Sequence, residues 1–295
     1  MVVAPLVVGL LLAAALMHAS WNALLKSDRS DRLATFGVIM TTGTVMGLVA
    51  VPFLPMIEPG AWKFISLSVA IHLAYYAFLL KAYSYGDLSH TYPIARGLGP
   101  LLVAMLSGQL VGEHLRNQDV LGVLLLSCGL VALALPGRRL AAPKPGGHHG
   151  LATLFAVLTG ISIAGYILAD GLGVRAAGPT LEHKISYIAW LCVVEGPWLL
   201  VLAFARRPAT VWVHLRINWW RGVLVGAIAS VGYGIAIYGL AAGPMAHVAA
   251  LRETSVLFGA LIGTLLLGEP FGGRRVAAAL VIVSGLVLMN GPAFL

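Results

Sequence analysis

His72, Tyr76, Leu79 and Tyr83 follow one another at spacings of four, three and four, which puts them on one stripe of a helix. A ring with a polar tip can stack on a flat or cationic molecule and still hydrogen-bond water when that molecule is absent. The stripe is therefore a candidate cavity wall, with packing between helices as the alternative. Tyr233 offers a comparable ring far along the chain. The other candidates are ionisable residues set in apolar sequence: Lys81, His90, Arg96, Glu195, His247, Arg252 and Glu253. Arg96 has the planar fork that grips a carboxylate in two places, or that ties two helices together. Arg252, adjacent to Glu253, reads as a structural charge pair. His90 and His247 stand near the starts of two apolar stretches and suit a pair of gates.

These residues matter because of what surrounds them. Of 295 residues 59% are hydrophobic and 10% charged, with a mean hydropathy of +0.92, whereas a soluble domain carries about a quarter of its residues charged. Ten apolar stretches fall at 3–25, 33–54, 62–84, 88–111, 118–136, 151–169, 184–205, 219–241, 245–267 and 274–291. Each approaches the ~20 residues needed to cross a ~30 Å hydrocarbon core as a helix. They are apolar throughout, without the alternation of a membrane β-barrel. An ionisable group at the centre of such a span costs on the order of 2.5–3.5 kcal/mol unless it is paired or faces water. Cys128 and Cys192 lie within spans and are expected as buried free thiols.

The second half repeats the first. Residues 96–131 align without gaps on 252–287, an offset of 156, with 11 identities that include Arg96 with Arg252, Gly112-Glu113 with Gly268-Glu269, and Gly129-Leu-Val with Gly285-Leu-Val. Upstream the offset is 157, pairing Tyr76 with Tyr233, Gly86 with Gly243 and His90 with His247. Five spans is an odd number, so the second copy must enter the bilayer in the opposite sense. The expected fold is all-α: a polytopic membrane protein of ten transmembrane helices in two inverted five-helix repeats, 1–136 and 151–295, joined by a Pro- and Gly-rich linker at 137–150. Sites in such proteins lie near the midplane between the halves, which nominates spans three, four, eight and nine as walls. The small residues Gly222, Gly226, Ser230 and Gly234 recur every fourth position and predict a close helix approach. Gly97-Leu-Gly-Pro100 predicts an interruption in span four.

The segments Pro93-Ile-Ala-Arg96-Gly-Leu-Gly-Pro100 through Gly112-Glu113, and Ala250-Leu-Arg252-Glu253-Thr-Ser255 through Gly268-Glu269-Pro270, resemble the two EamA repeats of the drug/metabolite transporter superfamily. His18-Ala-Ser-Trp-Asn-Ala-Leu-Leu-Lys26 is similar to the opening of that family. The resemblance covers nearly the whole chain and is nearest to bacterial amino acid exporters, including the aromatic amino acid (YddG-like) branch. It implies a secondary transporter that exports amino acids by alternating access, with another small metabolite or a drug-like cation as the alternative substrate. The expected location is the bacterial inner membrane, with a small-molecule substrate and the lipid bilayer as partners. Ten spans suffice to enclose a pathway in a monomer.

Other classes are excluded or disfavoured. No Gly-x4-Gly-Lys-Ser/Thr phosphate loop is present, so the chain cannot itself hydrolyse ATP. The nearest fragment to a serine-hydrolase elbow, Gly160-Ile-Ser162-Ile-Ala164, is one residue short and lacks a base, so no enzyme is expected. Scattered polar positions do not form the ring of a channel. Basic residues are too dispersed to follow a nucleic acid backbone. His148-His149 is too small a set for a metal, and no cofactor is expected. Twelve Lys and Arg residues fall in odd-numbered loops and four on the even side. By the positive-inside rule the odd loops are cytoplasmic and both termini outside, whereas the family resemblance implies termini inside.

Overall fold

The computed structural model describes residues 3–27, 32–86, 88–134, 149–217, 219–267 and 272–294. The interrepeat linker at 137–150, apart from its last two residues, and Gly268-Glu269-Pro270 lie outside these. The described residues are built from thirteen α-helices: α1 (Pro5–Ser27), α2 (Arg32–Ala50), α3 (Trp62–Tyr85), α4 (Leu88–Val111), α5 (Asn117–Ala134), α6 (His149–Ala176), α7 (Leu181–Glu195), α8 (Pro197–Arg206), α9 (Pro208–Ile217), α10 (Trp219–Ala242), α11 (Met245–Arg252), α12 (Thr254–Leu267) and α13 (Gly273–Phe294). Nine stretches among the described residues are long and apolar enough to cross a membrane, and Asn117–Leu133 is a shorter apolar helix at the place of span five. The seventh span is α7 followed by α8, divided at Gly196-Pro197, and the ninth is α11 followed by α12.

The helix pairings obey the duplication. α3 packs on α6 as α10 packs on α1, and α4 packs on α6 as α11 and α12 pack on α1. α2 with α7, and α5 with α13, are pairs that exchange into themselves. The last of these is symmetric in atomic detail. A Cβ added to Gly129 would stand 3.1 Å from the Ala278 carbonyl oxygen, and one on Gly285, 156 residues on, 2.5 Å from that of Gly122, the counterpart of Ala278. At the ends of the same crossing the Gln118 side chain meets the Leu288 carbonyl, and its counterpart Arg274 meets that of Ala132. A two-fold relation between halves of five spans each can hold in a bilayer only if the axis lies in its plane, which is the inverted arrangement.

Three local expectations are corrected. Span four is not interrupted: α4 runs unbroken through Gly97, Gly99 and Pro100. The break lies instead in span nine at Glu253, the repeat position of Gly97. There Glu253 N bonds the Ala250 carbonyl at 3.1 Å, and Thr254 Oγ1 donates to the Leu251 carbonyl at 2.7 Å, so the turn tightens and α11 ends. Between spans seven and eight, where a loop is expected, α9 forms a short helix whose Val211 packs with Ala34 and Ala203 and whose Trp212 points outward. Cys128 is a free thiol but faces out of the bundle.

Gly222, Gly226 and Ser230 of the α10 stripe lie on α2, while Gly234 meets Ile188 of α7. An added Cβ on Gly226 would come within 2.7 Å of both the Ile39 carbonyl oxygen and Thr42 Cβ, and one on Gly222 within 2.6 Å of Val38 Cγ1. Backbone-to-backbone contact of this kind replaces the hydrophobic effect as the source of helix association inside lipid.

Candidate functional site

A cavity of about 1100 Å3 opens between the halves. Its rim is drawn from helix ends on one side only: Asn22, Phe36, Tyr83, Tyr92, Arg207 and Gly263, all beside odd-numbered loops. The opposite, even-loop side is packed shut. Gly112 turns there in the left-handed region, φ 71°, and sends Glu113 to the start of α11. Both Glu113 oxygens accept the Met245 N–H, at 3.0 and 2.9 Å, satisfying an N–H that the helix start leaves free. Arg175 at the end of α6 pairs with Glu113 at 2.9 Å and donates to the carbonyls of Leu240 (2.9 Å) and Gly243 (2.8 Å). Next to this latch, Arg116 forks onto Asp119, and His247 Nε2 stands 3.4 Å from the same carboxylate.

At the inner end of the cavity the aromatic stripe of α3 meets α6, α7 and α10. Tyr76 Oη donates to Glu195 Oε1 at 3.1 Å, and His72 Nε2 lies 3.8 Å from that oxygen. His72 stacks on Tyr166 with ring centres 4.1 Å apart, its Nδ1 lies 3.0 Å from the Ser68 carbonyl oxygen and 3.3 Å from the Ser68 hydroxyl, and its Nε2 faces Tyr233 Oη at 3.3 Å. Tyr233 in turn donates to Asp170 Oδ2 at 2.5 Å, the length of a hydroxyl donating to a carboxylate. On the other face of Tyr233 the Arg252 guanidinium carbon lies 5.6 Å from the ring centre. Arg96 pairs with Glu253 at 3.0 Å and donates to Ser255 Oγ at 3.1 Å, fastening α4 to the broken ninth span.

Of the candidates from sequence, His72, Tyr76, Leu79, Tyr83, Arg96, Tyr233 and Arg252 all border this cavity. Glu253 lies behind it, and its ion pair is with Arg96 instead of its neighbour Arg252. His90 and His247 lie off the cavity at opposite ends of the bundle: His90 is exposed and bonds Thr153 Oγ1 at 2.8 Å, while His247 is buried on the closed side. Lys81 rests over the Phe155 ring. Spans three, four, eight and nine do line the cavity, but α1, α2, α6 and α7 contribute as well, because α1 and α6 cross directly against α10 and α3. Ser162 donates to the Leu158 carbonyl of its own helix at 2.8 Å. The residue that sequence reasoning missed is Asp170. It is the only acid in the 28 residues of α6, which is itself a signal, but the halves align faintly there and gave it no partner.

A helical membrane protein of two matched halves, sealed at one end and open at the other around a polar floor, has the form of a transporter. The chain belongs to the EamA-like transporter family, which it matches over residues 5–135 and 150–291. That is a family of transporters, not of enzymes. It is 34% identical over 190 residues to an uncharacterised protein of Pseudomonas aeruginosa, a stretch covering 64% of this chain and 60% of the relative. The match thus spans under two thirds of that relative's length. A solved crystal structure superposes with a TM-score of 0.74 at 18% identity, covering 96% of this chain and 97% of the other, and shares its fold.

Proposed function

We propose that this protein is a secondary transporter of amino acids, aromatic ones among them, working by alternating access as a monomer in the bacterial inner membrane, in the export direction. The observation that carries the reading is the placement of opposite charges around Tyr233. Asp170 is bonded to its hydroxyl and Glu195 lies beyond His72, while Arg252 covers its ring. A zwitterion needs an anion and a cation a few ångströms apart in a dry site, since an ammonium and a carboxylate taken out of water each cost several kcal/mol if unmatched. The ammonium goes to the Glu195 side and the carboxylate to Arg252, while Tyr75, Tyr76, Tyr83, Tyr92 and Tyr166 give a flat side chain its stacking surface. Arg96 stands in the wall as a structural residue, its guanidinium already neutralised by Glu253.

Export and the family branch rest on the resemblance of the repeat motifs to amino acid exporters. A transported cation without a carboxylate is the second reading, favoured by the two acids on the floor. Purified protein in proteoliposomes, loaded with one amino acid and offered a labelled trace of another, distinguishes these. Saturable counterflow by phenylalanine, tyrosine or tryptophan is expected. Counterflow by aromatic amines but by no amino acid would replace the zwitterion with a cation, and flux without saturation would replace the carrier with a channel.

A further inference from the structure

We propose that α9 and the helix ends on either side of it form a docking surface for anionic phospholipid, with Arg206, Arg216 and Arg221 on the headgroups and the outer side chains of α9 in the acyl boundary. The inference holds whichever solute is carried. It starts from the backbone. Pro208 has no N–H with which to continue α8 and suits the first position of a new helix, so one helix stops and another starts within two residues. Arg207 serves both: its N–H closes α8 on the Ala203 carbonyl at 2.8 Å, and its carbonyl accepts the Val211 N–H at 3.1 Å. The apolar span that contains α8 ends at Arg206 and the next begins at Trp219. The ten residues of α9 therefore lie where hydrocarbon gives way to headgroups.

One face of α9 meets protein: Val211 is buried against Ala34 and Ala203, with Leu215 one turn on beside them. The opposite face carries Val213 and Ile217, 56% and 65% exposed, and along its edge Trp212 and Arg216, also one turn apart. Trp219 and Trp220 at the head of α10 are each more than half exposed. Apolar and aromatic side chains exposed just beyond a span need a cover that is apolar at one depth and polar at the next, which is the bilayer interface.

Charge selects the lipid. Four arginines fall between positions 206 and 221, while no Asp or Glu occurs from 196 to 252. Arg207 belongs to the cavity rim and is set apart. Arg206, Arg216 and Arg221 are exposed, and among the described residues none of them has a carboxylate partner; the Arg221 guanidinium carbon lies 5.2 Å from the Trp220 ring centre. Three positive charges without acids to neutralise them complement a phosphate-bearing surface, each worth about a fivefold gain in affinity for an anionic over a neutral bilayer. A guanidinium can fork onto a phosphate while an indole beside it anchors in the layer below. A zwitterionic headgroup carries its own cation and gains much less. Because α9 packs on α2 and α8, which both line the cavity, the lipid is held beside its mouth.

The protein's own tryptophans test this in nanodiscs. Bromine on an acyl chain quenches a nearby indole, so discs of phosphatidylglycerol and phosphatidylcholine in equal parts are made with one or the other lipid brominated. The wild type should be quenched more by brominated phosphatidylglycerol, and the ratio should fall to one in Arg206→Gln/Arg216→Gln/Arg221→Gln. The corresponding triple lysine variant keeps the charge and should keep a ratio above one. Lys63→Gln, an exposed charge at the other end of the bundle, should leave the wild-type ratio. In Trp212→Phe/Trp219→Phe/Trp220→Phe the excess should vanish, since the reporters at the surface are gone. Equal quenching by both lipids in the wild type, or an undiminished ratio in the glutamine or phenylalanine variant, overturns the proposal. A further measurement uses the wild type alone. Raising salt from about 0.1 M, where the Debye length is ~10 Å, to about 1 M, where it is ~3 Å, should bring the ratio close to one, and indifference to salt would remove the arginines from lipid selection. Inorganic phosphate added at constant ionic strength should change nothing; loss of the lipid preference there would mean that the arginines take a free phosphate instead of a headgroup.

Discussion

Arg96 and Arg252 occupy the same position in the two repeats, yet one is held by a carboxylate and the other lies across a ring. That difference separates their expected phenotypes. Glu253→Ala would leave the half-buried Arg96 guanidinium without its counter-charge, a loss of about 1.5–3 kcal/mol, read as a lower midpoint in a heating series followed by size-exclusion chromatography. Arg96→Lys should likewise reduce the amount of folded protein and leave the half-saturation concentration of amino acids unchanged in what remains. Arg252→Lys keeps the charge but loses the flat fork, and should raise that concentration about tenfold or more. An amino acid amide, which lacks the carboxylate, should compete poorly in the wild type, and equal competition by the amide would remove Arg252 from carboxylate recognition. The sequence made the aromatic stripe and both arginines visible, because a helical period and a repeat partner are both legible in one chain. It did not make legible which arginine meets Glu253. The two are neighbours of that acid by different routes, Arg252 along the chain and Arg96 across the helix interface, and only the folded backbone decides between them. Asp170 escaped for the opposite reason: it is a single acid whose meaning comes entirely from Tyr233, a residue on another helix.

The contact between α2 and α10 is set by the absence of side chains. Gly226→Ala would place a methyl 2.7 Å from the Ile39 carbonyl and Thr42, forcing the helices apart at a cost of about 1–3 kcal/mol, whereas Gly259→Ala, with nothing within 4 Å, should melt with the wild type. Matched thermal melts of the two variants check this, and equal losses would mean that the close approach is not what holds α10 in place. The stripe itself was readable from spacing, though its partner helix was not, since any of several neighbours could accept a small-residue face. Span nine shows the limit in the other direction. Two glycines and a proline make span four look breakable, yet the backbone breaks at Glu253, where an acid drawn towards Arg96 and a threonine bonded back to Leu251 reshape the turn. Helix-breaking composition is a local signal, and tertiary bonds overrode it. At the other end of α4, Gly112 turns with φ 71°, so Gly112→Ala should cost about 1–2 kcal/mol and weaken the seat of Glu113 at the start of α11.

For the molecule as a whole, the distinguishing fact is that one end is latched and the other open. Glu113→Ala would release both Met245 and Arg175 and shift the population towards opening on the even-loop side. In a background with Cys128 and Cys192 replaced by serine, a cysteine at the buried Val248 should become reactive to a membrane-impermeant thiol reagent only when Glu113 is changed. Equal protection in both would place the closure elsewhere. A reporter fused near His149 fixes which compartment the open end faces: cytoplasmic activity would follow the count of basic residues, and periplasmic activity the family's usual orientation. The all-helical, two-repeat membrane plan was legible because hydropathy and self-similarity act over the whole chain, while the state in which the bundle rests is a balance among ion pairs at helix ends that no period reports. The crossing of α5 on α13 has a different consequence. Its contacts map onto themselves when the halves are exchanged, Gly129 against Ala278 becoming Gly285 against Gly122. If the second access state is the first with the roles of the halves swapped, this crossing has the same free energy in both and is thermodynamically silent in the switch. It is the stator of the machine, and spin labels on the outer faces of α5 and α13 should keep one separation through the cycle while labels on α4 and α12 report two.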